Sequence, residues 1–230
     1  MYKKLNMAIL ALTALAALAL PASASALNEP TLKEGATVIA TGTKLTATLA
    51  PKTEAIFWNT DTTTKQVICS GAKLTGNVKA NAKDLVEETI ETVEFTGTGA
   101  GGVCVSGTGA AVKVTVSTPL CLYSALAHAP DEFEIEGSDC KITEAPVKFT
   151  LDIGTEACEY ETTGTIKGDF TTNSDEAKLT TRDTEAGSGF KKIKGIFCPE
   201  SGVVAMTFNL FTDVAKHENA TAITIVDTTP

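Results

Sequence analysis

The densest chemistry in this chain lies between Cys121 and Cys140, where Asp131, Glu132, Glu134, Glu136 and Asp139 occur with no lysine or arginine among them. The core of the segment, Glu132-Phe133-Glu134-Ile135-Glu136, alternates acid with apolar side chain. Successive side chains of a strand point to opposite faces, so all three glutamates are expected on one face. Two plain uses of such a face are open. It is a solvated acidic surface, or it is a set of hard oxygen ligands for a cation such as Ca²⁺, although the spacing is not that of an EF-hand loop. The metal question stays unknown at this level.

Other residue groups with chemical potential lose it on inspection. Gly97-Thr98-Gly99-Ala100-Gly101-Gly102 has the glycine spacing of a dinucleotide fingerprint. That fingerprint must open a helix whose N-terminus meets the pyrophosphate, and here Val103-Cys104-Val105 continues as strand, so a hairpin loop is expected. His128 and His217 have no metal-ligand partner at helical or zinc-knuckle spacing, and no nucleophile elbow exists for a serine. The Asn219-Ala220-Thr221 sequon would carry little weight if the source were bacterial. Trp58, beside Ile56 and Phe57, reads as core and not as a ligand platform. No cofactor is expected.

The elements that must position these residues are strands. Apolar side chains alternate with polar ones at Val112, Val114 and Val116, at Val147, Phe149, Leu151 and Ile153, at Val204, Met206, Phe208 and Leu210, and at Ile223 and Ile225. A period of two puts one set on a buried face, which predicts half-buried antiparallel strands. Breaks such as Asn59-Thr60-Asp61 and Asn173-Ser174-Asp175 separate them as turns. The expected fold is all-β, an antiparallel two-sheet β-sandwich or a barrel-like relative. Helix is expected only in the leader, with a short turn at Ser124 to His128.

That leader reads as an export signal over residues 1–26. Lys3 and Lys4 precede an apolar run from Leu5 to Leu20, then Pro21 and Ala22-Ser23-Ala24-Ser25-Ala26. The order is that of a secretory signal peptide, cleaved after Ala26 or Ala24, and its apolar run is shorter than the roughly 20 residues of a spanning helix. A retained anchor is the competing reading. Loss of Lys3 and Lys4 moves the formal charge from −9 to −11. An acidic exported chain has no electrostatic footprint for nucleic acid. The expected location is secreted or cell-envelope associated, with no membrane span after cleavage, and residues 27–230 are expected to form one β-sandwich domain.

Six cysteines in an exported chain imply disulfides, and their connectivity follows from a repeat. After Cys69 come Gly76-Asn77-Val78-Lys79, the Phe95 strand, Cys104 and the valine strand. After Cys158 come Gly164-Thr165-Ile166-Lys167, the segment Ile193 to Phe197, Cys198 and the strand through Phe208. Two related units, about 65–118 and 155–212, would each carry one bridge. The expected pairs are therefore Cys69 with Cys104 and Cys158 with Cys198, which leaves Cys121 with Cys140.

These residues resemble unassigned, secreted, Thr-rich disulfide-containing β-proteins of high-GC Gram-positive bacteria. The resemblance rests on Cys69, Leu74 to Val78, Phe95 and Cys104, then on Cys158, Tyr160, Gly164, Cys198 and Pro199. The family carries no assigned activity. An exported, disulfide-stapled β-protein with no catalytic constellation is expected to be a non-catalytic structural or binding protein with an extracellular, cell-envelope or glycan partner. A second resemblance is local: Glu132-Phe133-Glu134-Ile135-Glu136 looks like the catalytic strand of laminarinase-like retaining glycoside hydrolases. It implies Glu132 as nucleophile, Glu134 as its tuning residue and Glu136 as acid/base, so a retaining glycoside hydrolase is the alternative function. Retaining chemistry needs carboxyls about 5 to 5.5 Å apart. Residues four apart on a regular strand start about 13 Å apart at the backbone.

Overall fold

A computed structural model describes residues 31–59, 65–82, 85–125, 132–141, 143–172, 177–212 and 223–225. The expected signal, both histidines, the sequon and most of the two quoted turn clusters lie outside the described residues. The alternating segments form strands, and among the described residues there are nineteen. They run Leu32–Glu34 (β1), Thr37–Val38 (β2), Lys44–Leu49 (β3), Ala55–Asn59 (β4), Lys65–Cys69 (β5), Gly71–Ala82 (β6) and Leu85–Thr96 (β7). Next come Cys104–Ser106 (β8), Ala111–Val116 (β9), Leu120–Ala125 (β10), Glu132–Glu136 (β11), Lys148–Ile153 (β12) and Glu156–Thr162 (β13). The last are Ile166–Thr172 (β14), Ala177–Thr181 (β15), Gly189–Lys194 (β16), Ser201–Ala205 (β17), Thr207–Phe211 (β18) and Ile223–Ile225 (β19).

Sixteen of these strands close into two eight-stranded antiparallel barrels, β3-β6-β7-β10-β11-β14-β15-β18 and β4-β5-β8-β9-β12-β13-β16-β17. The order is a simple meander in both. Each pair β3/β4, β5/β6, β7/β8, β9/β10, β11/β12, β13/β14, β15/β16 and β17/β18 is one stretch of chain that runs through both barrels. In the last stretch Val204, Met206, Phe208 and Leu210 alternate across the break at Met206, and all four pack into the cores. Leu49, Phe95, Val116 and Met206 touch both cores, so the barrels are stacked end to end on a shared layer. We call the barrel of β3 and β18 terminal and the other distal.

Both barrels are filled by side chains, as expected where eight strands leave an interior just wide enough for them. The distal core is aromatic: Phe149 lies 5.4 Å from Phe57, 5.3 Å from Tyr160 and 5.2 Å from Phe190, centroid to centroid. The small sheet β19-β1-β2 packs Leu32, Ile39 and Ile223 into the terminal core. Asn81 fixes it there, donating from Nδ2 to the carbonyls of Leu32 and Ile39 and accepting from the Leu32 amide at 2.9 Å.

Several expectations are corrected by this architecture. The sheets do not pack face to face as an open sandwich; β18 pairs with β3 and β17 with β4, and these closures remove the edges a sandwich would keep. Strands of the segments 65–118 and 155–212 are interleaved around the same two barrels. Their matched aromatics also differ, with Phe95 packed at the shared layer and Phe197 87% exposed. Ser124 and Ala125 belong to β10 and not to a turn, while a four-residue helix appears at Glu185–Ser188. The glycine-rich loop doubles back on itself, with the Gly97 amide bonded to the Gly102 carbonyl at 2.9 Å, but the strands that it joins are not paired; it carries the chain from β7 in one barrel to β8 in the other.

One inward position among the described residues carries a carboxyl. Glu88 sits on β7 between Val86 and Ile90, faces the terminal core and is 5% exposed. Burial pushes its carboxyl up to about 8, from an ordinary value of 4.5. A carboxyl raised on folding binds its proton more tightly in the folded chain. Keeping it neutral therefore costs nothing extra below pH 4.5, and stability falls as pH rises from there to about 8. We expect the melting temperature of the parent to drop between pH 5 and 8, and Glu88→Gln to flatten that slope and melt higher at pH 8. Separately, Phe149→Ala should lower unfolding free energy by about 3–5 kcal/mol in urea titrations, since it empties the centre of the aromatic cluster.

Candidate functional site

The acidic strand β11 lies in the wall of the terminal barrel between β10 and β14. Phe133 points into the core, which places Glu132, Glu134 and Glu136 on the outer face. The shared face expected from alternation is therefore present. It does not line a cleft of free carboxylates, because each glutamate is already engaged.

Glu132 accepts from Arg182, the chain's single arginine, which also donates to Asp169 Oδ1 at 2.6 Å. Asp169 and Glu132 are register partners across β11 and β14, so the two acids flank one guanidinium. Its hydrogen bonds to Asp169 first, and then to Glu132, raise the arginine further above its ordinary value. Glu134 accepts from Thr165 at 2.7 Å and Tyr123 at 2.8 Å and pairs with Lys167 at 3.1 Å. Burial pushes this carboxyl up, but those donors, Thr165 foremost, outweigh it and hold it below the usual carboxylate range. The Tyr123 phenol moves up in turn, through burial and then through its bond to Glu134.

Glu136 is fully buried beneath the segment that joins β11 to β12. Its carboxylate accepts from the Ser138 hydroxyl and from the backbone amides of Thr143 at 2.9 Å and Glu144 at 2.8 Å. Glu144 and Cys140 both hold left-handed backbone, at φ 53° and 48°, which side chains with a Cβ rarely adopt. The Glu144 turn is held by Glu136 and the Cys140 turn by the disulfide to Cys121. Asp139 pairs with Lys79 at 3.2 Å across the same surface. Structural partners on the outer face thus take up the acids of this segment that the structure describes; Asp131 lies outside the described residues.

This arrangement supplies staples in place of a reacting pair. Retaining hydrolysis would need Glu132 and Glu136 facing one sugar, and here one is committed to Arg182 and the other to loop amides. For a cation, the one grouping of three possible ligands among the described residues is Glu156, Cys158 and Cys198. Its two sulfurs are joined to each other, so no thiolate is left to bind a metal. The three bonds are Cys69–Cys104, Cys121–Cys140 and Cys158–Cys198, the pairs expected from the repeat pattern.

A different feature stands out at the distal end. The loop between β16 and β17 carries Ile196 and Phe197, 85% and 87% exposed, with Ile193 half exposed beside them. The tip is rigidly held. Cys198 is bonded to Cys158, and Glu156 Oε1 accepts from the amides of both Ile196 and Phe197 at 2.8 Å. Gly195 turns the chain at φ 116°, and a Cβ there would meet Cys198 Sγ at 2.2 Å. Around the tip the charges cancel in pairs, Lys191 with Glu161, Lys194 with Glu159 and Lys192 with Glu200. Next to it the barrel mouth forms an apolar hollow lined by Trp58, Ile153, Phe190 and Pro199. Trp58 is half-buried there, and its indole N–H has no partner among the described residues.

Residues Ile193 to Phe197 were expected to be a strand of the second repeat. The strand stops at Lys194, because Gly195 breaks the alternation and the adjacent pair Ile196-Phe197 cannot both face inward. That adjacent apolar pair just before a cysteine is the signal in the sequence that marks the tip. No family model matches the chain, and no curated protein and no solved structure matches it. On the acidic strand, Glu136→Leu should cost about 1–3 kcal/mol by leaving its donors unpaired, with faster amide exchange at Thr143 and Glu144. Glu132→Gln, at a half-exposed pair, should change stability by less than about 1 kcal/mol, and parent and variant alike should release no sugar from laminarin.

Proposed function

We propose that this chain is a non-catalytic binding module working outside the cytoplasm, with the stapled apolar tip Ile196-Phe197 as its contact. The single observation that carries the reading is a pair of large apolar side chains held out in solvent by a disulfide, a left-handed glycine and two hydrogen bonds. Exposed apolar groups of that size lower solubility unless something covers them. Holding them rigid removes the ordering cost of binding in advance, and an aromatic anchor is the commonest kind of interface hot spot. The three disulfides agree with an oxidising compartment. Each of the three lysines around the tip is paired with a glutamate, which leaves no basic patch for a polyanion and favours an uncharged envelope surface. The retaining-hydrolase alternative finds no support, since Glu132, Glu134 and Glu136 each hold part of the barrel wall together.

The test is co-sedimentation of the folded protein with phosphatidylcholine vesicles, insoluble β-glucan and purified peptidoglycan. Retention by one of these should fall at least tenfold in the Ile196→Ser/Phe197→Ser double variant, whose circular dichroism and melting should match the parent. Equal retention of the double variant, or no retention of the parent by any of the three, would overturn the assignment.

A further inference from the structure

Where the two barrels meet, the packing is incomplete. A cavity of about 60 Å³ lies there, lined almost wholly by apolar side chains, with Ile90, Leu122 and Phe133 in its walls. Two polar groups reach it, Glu88 and Thr181. The Thr181 hydroxyl is committed, accepting from the Met206 amide at 3.0 Å and lying 3.3 Å from the Val204 carbonyl. The Glu88 carboxyl has no hydrogen-bond or ion-pair partner among the described residues, although the residue is 95% buried. Native proteins bury an unpartnered polar group at a cost of about 1–3 kcal/mol, so such a group calls for an explanation.

The neighbouring strand leaves the carboxyl its place. Gly76 on β6 faces the same interior, and a Cβ there would stand 2.9 Å from Glu88 Oε1. Val78 on β6 and Leu122 on β10, the register partners of Glu88, are not titratable, nor is any other lining residue. With only burial acting on it, the group stays protonated through neutral pH. A protonated carboxyl both donates and accepts a hydrogen bond. A water needs roughly 10–15 Å³ of such space, so the cavity holds a guest of about four to six heavy atoms.

We propose that this cavity is a binding site for a small neutral amphiphile, with its hydroxyl on the Glu88 carboxyl and its short alkyl part against Ile90, Leu122 and Phe133. The site is separate from the distal tip and does not depend on the function assigned to it. The polar end of the guest satisfies the lone buried carboxyl, and the alkyl end restores the contacts that a void forfeits.

The probe is 1-butanol, titrated into the folded parent at pH 6.5 while methyl resonances of Ile90, Leu122 and Leu74 are followed by NMR. Saturable shifts confined to those residues are expected, retained within a few fold in Glu88→Gln and at least tenfold weaker in Glu88→Leu. Val93→Phe, which fills the cavity from its wall, should abolish the shifts and serves as the control if Glu88→Leu does not fold. Absence of a saturable shift in the parent, or equal binding by a folded Glu88→Leu, would sink the proposal. So would binding of n-butylamine but not butanol, which would mark a cation site, or water signals at these methyls that butanol does not displace.

Discussion

Closure of the meander is the constraint on which everything else in this molecule rests. The last long stretch, β17 and β18, pairs with the first, β4 and β3, and it does so in both barrels at once. Because every stretch runs through both barrels, neither can open without breaking the seam of the other. The backbone hydrogen bonds of sixteen strands are thereby satisfied without an exposed edge. Stability then depends on how well two narrow interiors are filled, which is why the distal barrel is packed with Phe57, Phe149, Tyr160 and Phe190.

The same constraint explains the unusual use of acidic residues. A closed wall has only an inside and an outside, and a long segment that joins one barrel to the other, such as 137–147, must lie over the outside. Covering a wall buries backbone amides, which need acceptors. Glu136 supplies them for the crossing between β11 and β12, as Thr162 Oγ1 does for the Val147 amide at 2.9 Å. What reads as a catalytic strand is therefore the anchoring row of a crossover. The Cys121–Cys140 bond holds that crossover from its other side.

With the acids assigned to structure, two features are left that the fold does not require. The Ile196-Phe197 tip contributes nothing to either core, and Glu88 weakens the core it enters. They occupy different places, one at the distal mouth and one at the junction. Features held against stability mark sites where something other than folding sets the residue.

Strand existence was legible in the amino-acid order, because a period of two is a local property. Val147 to Ile153 and Val204 to Leu210 alternate in sequence and alternate across the wall. The three cysteine pairs were legible as well, from the similar segments that follow Cys69 and Cys158. Ser124 was misread as part of a turn, and the Gly97–Gly102 loop as a hairpin, since local pattern does not say which sheet the next strand joins. Alternation places Glu132, Glu134 and Glu136 on one face but cannot say what covers that face; Arg182, fifty residues on, and the Glu144 amide are brought there only by the closed wall. Pairing between strands distant in sequence is set by register and closure, which are properties of the assembled barrel. By itself the sequence determined strands, disulfide partners and a shared acidic face. Tertiary structure alone decided barrel over sandwich, turned the glutamates into staples, and left Phe197 in solvent and Glu88 beside a void.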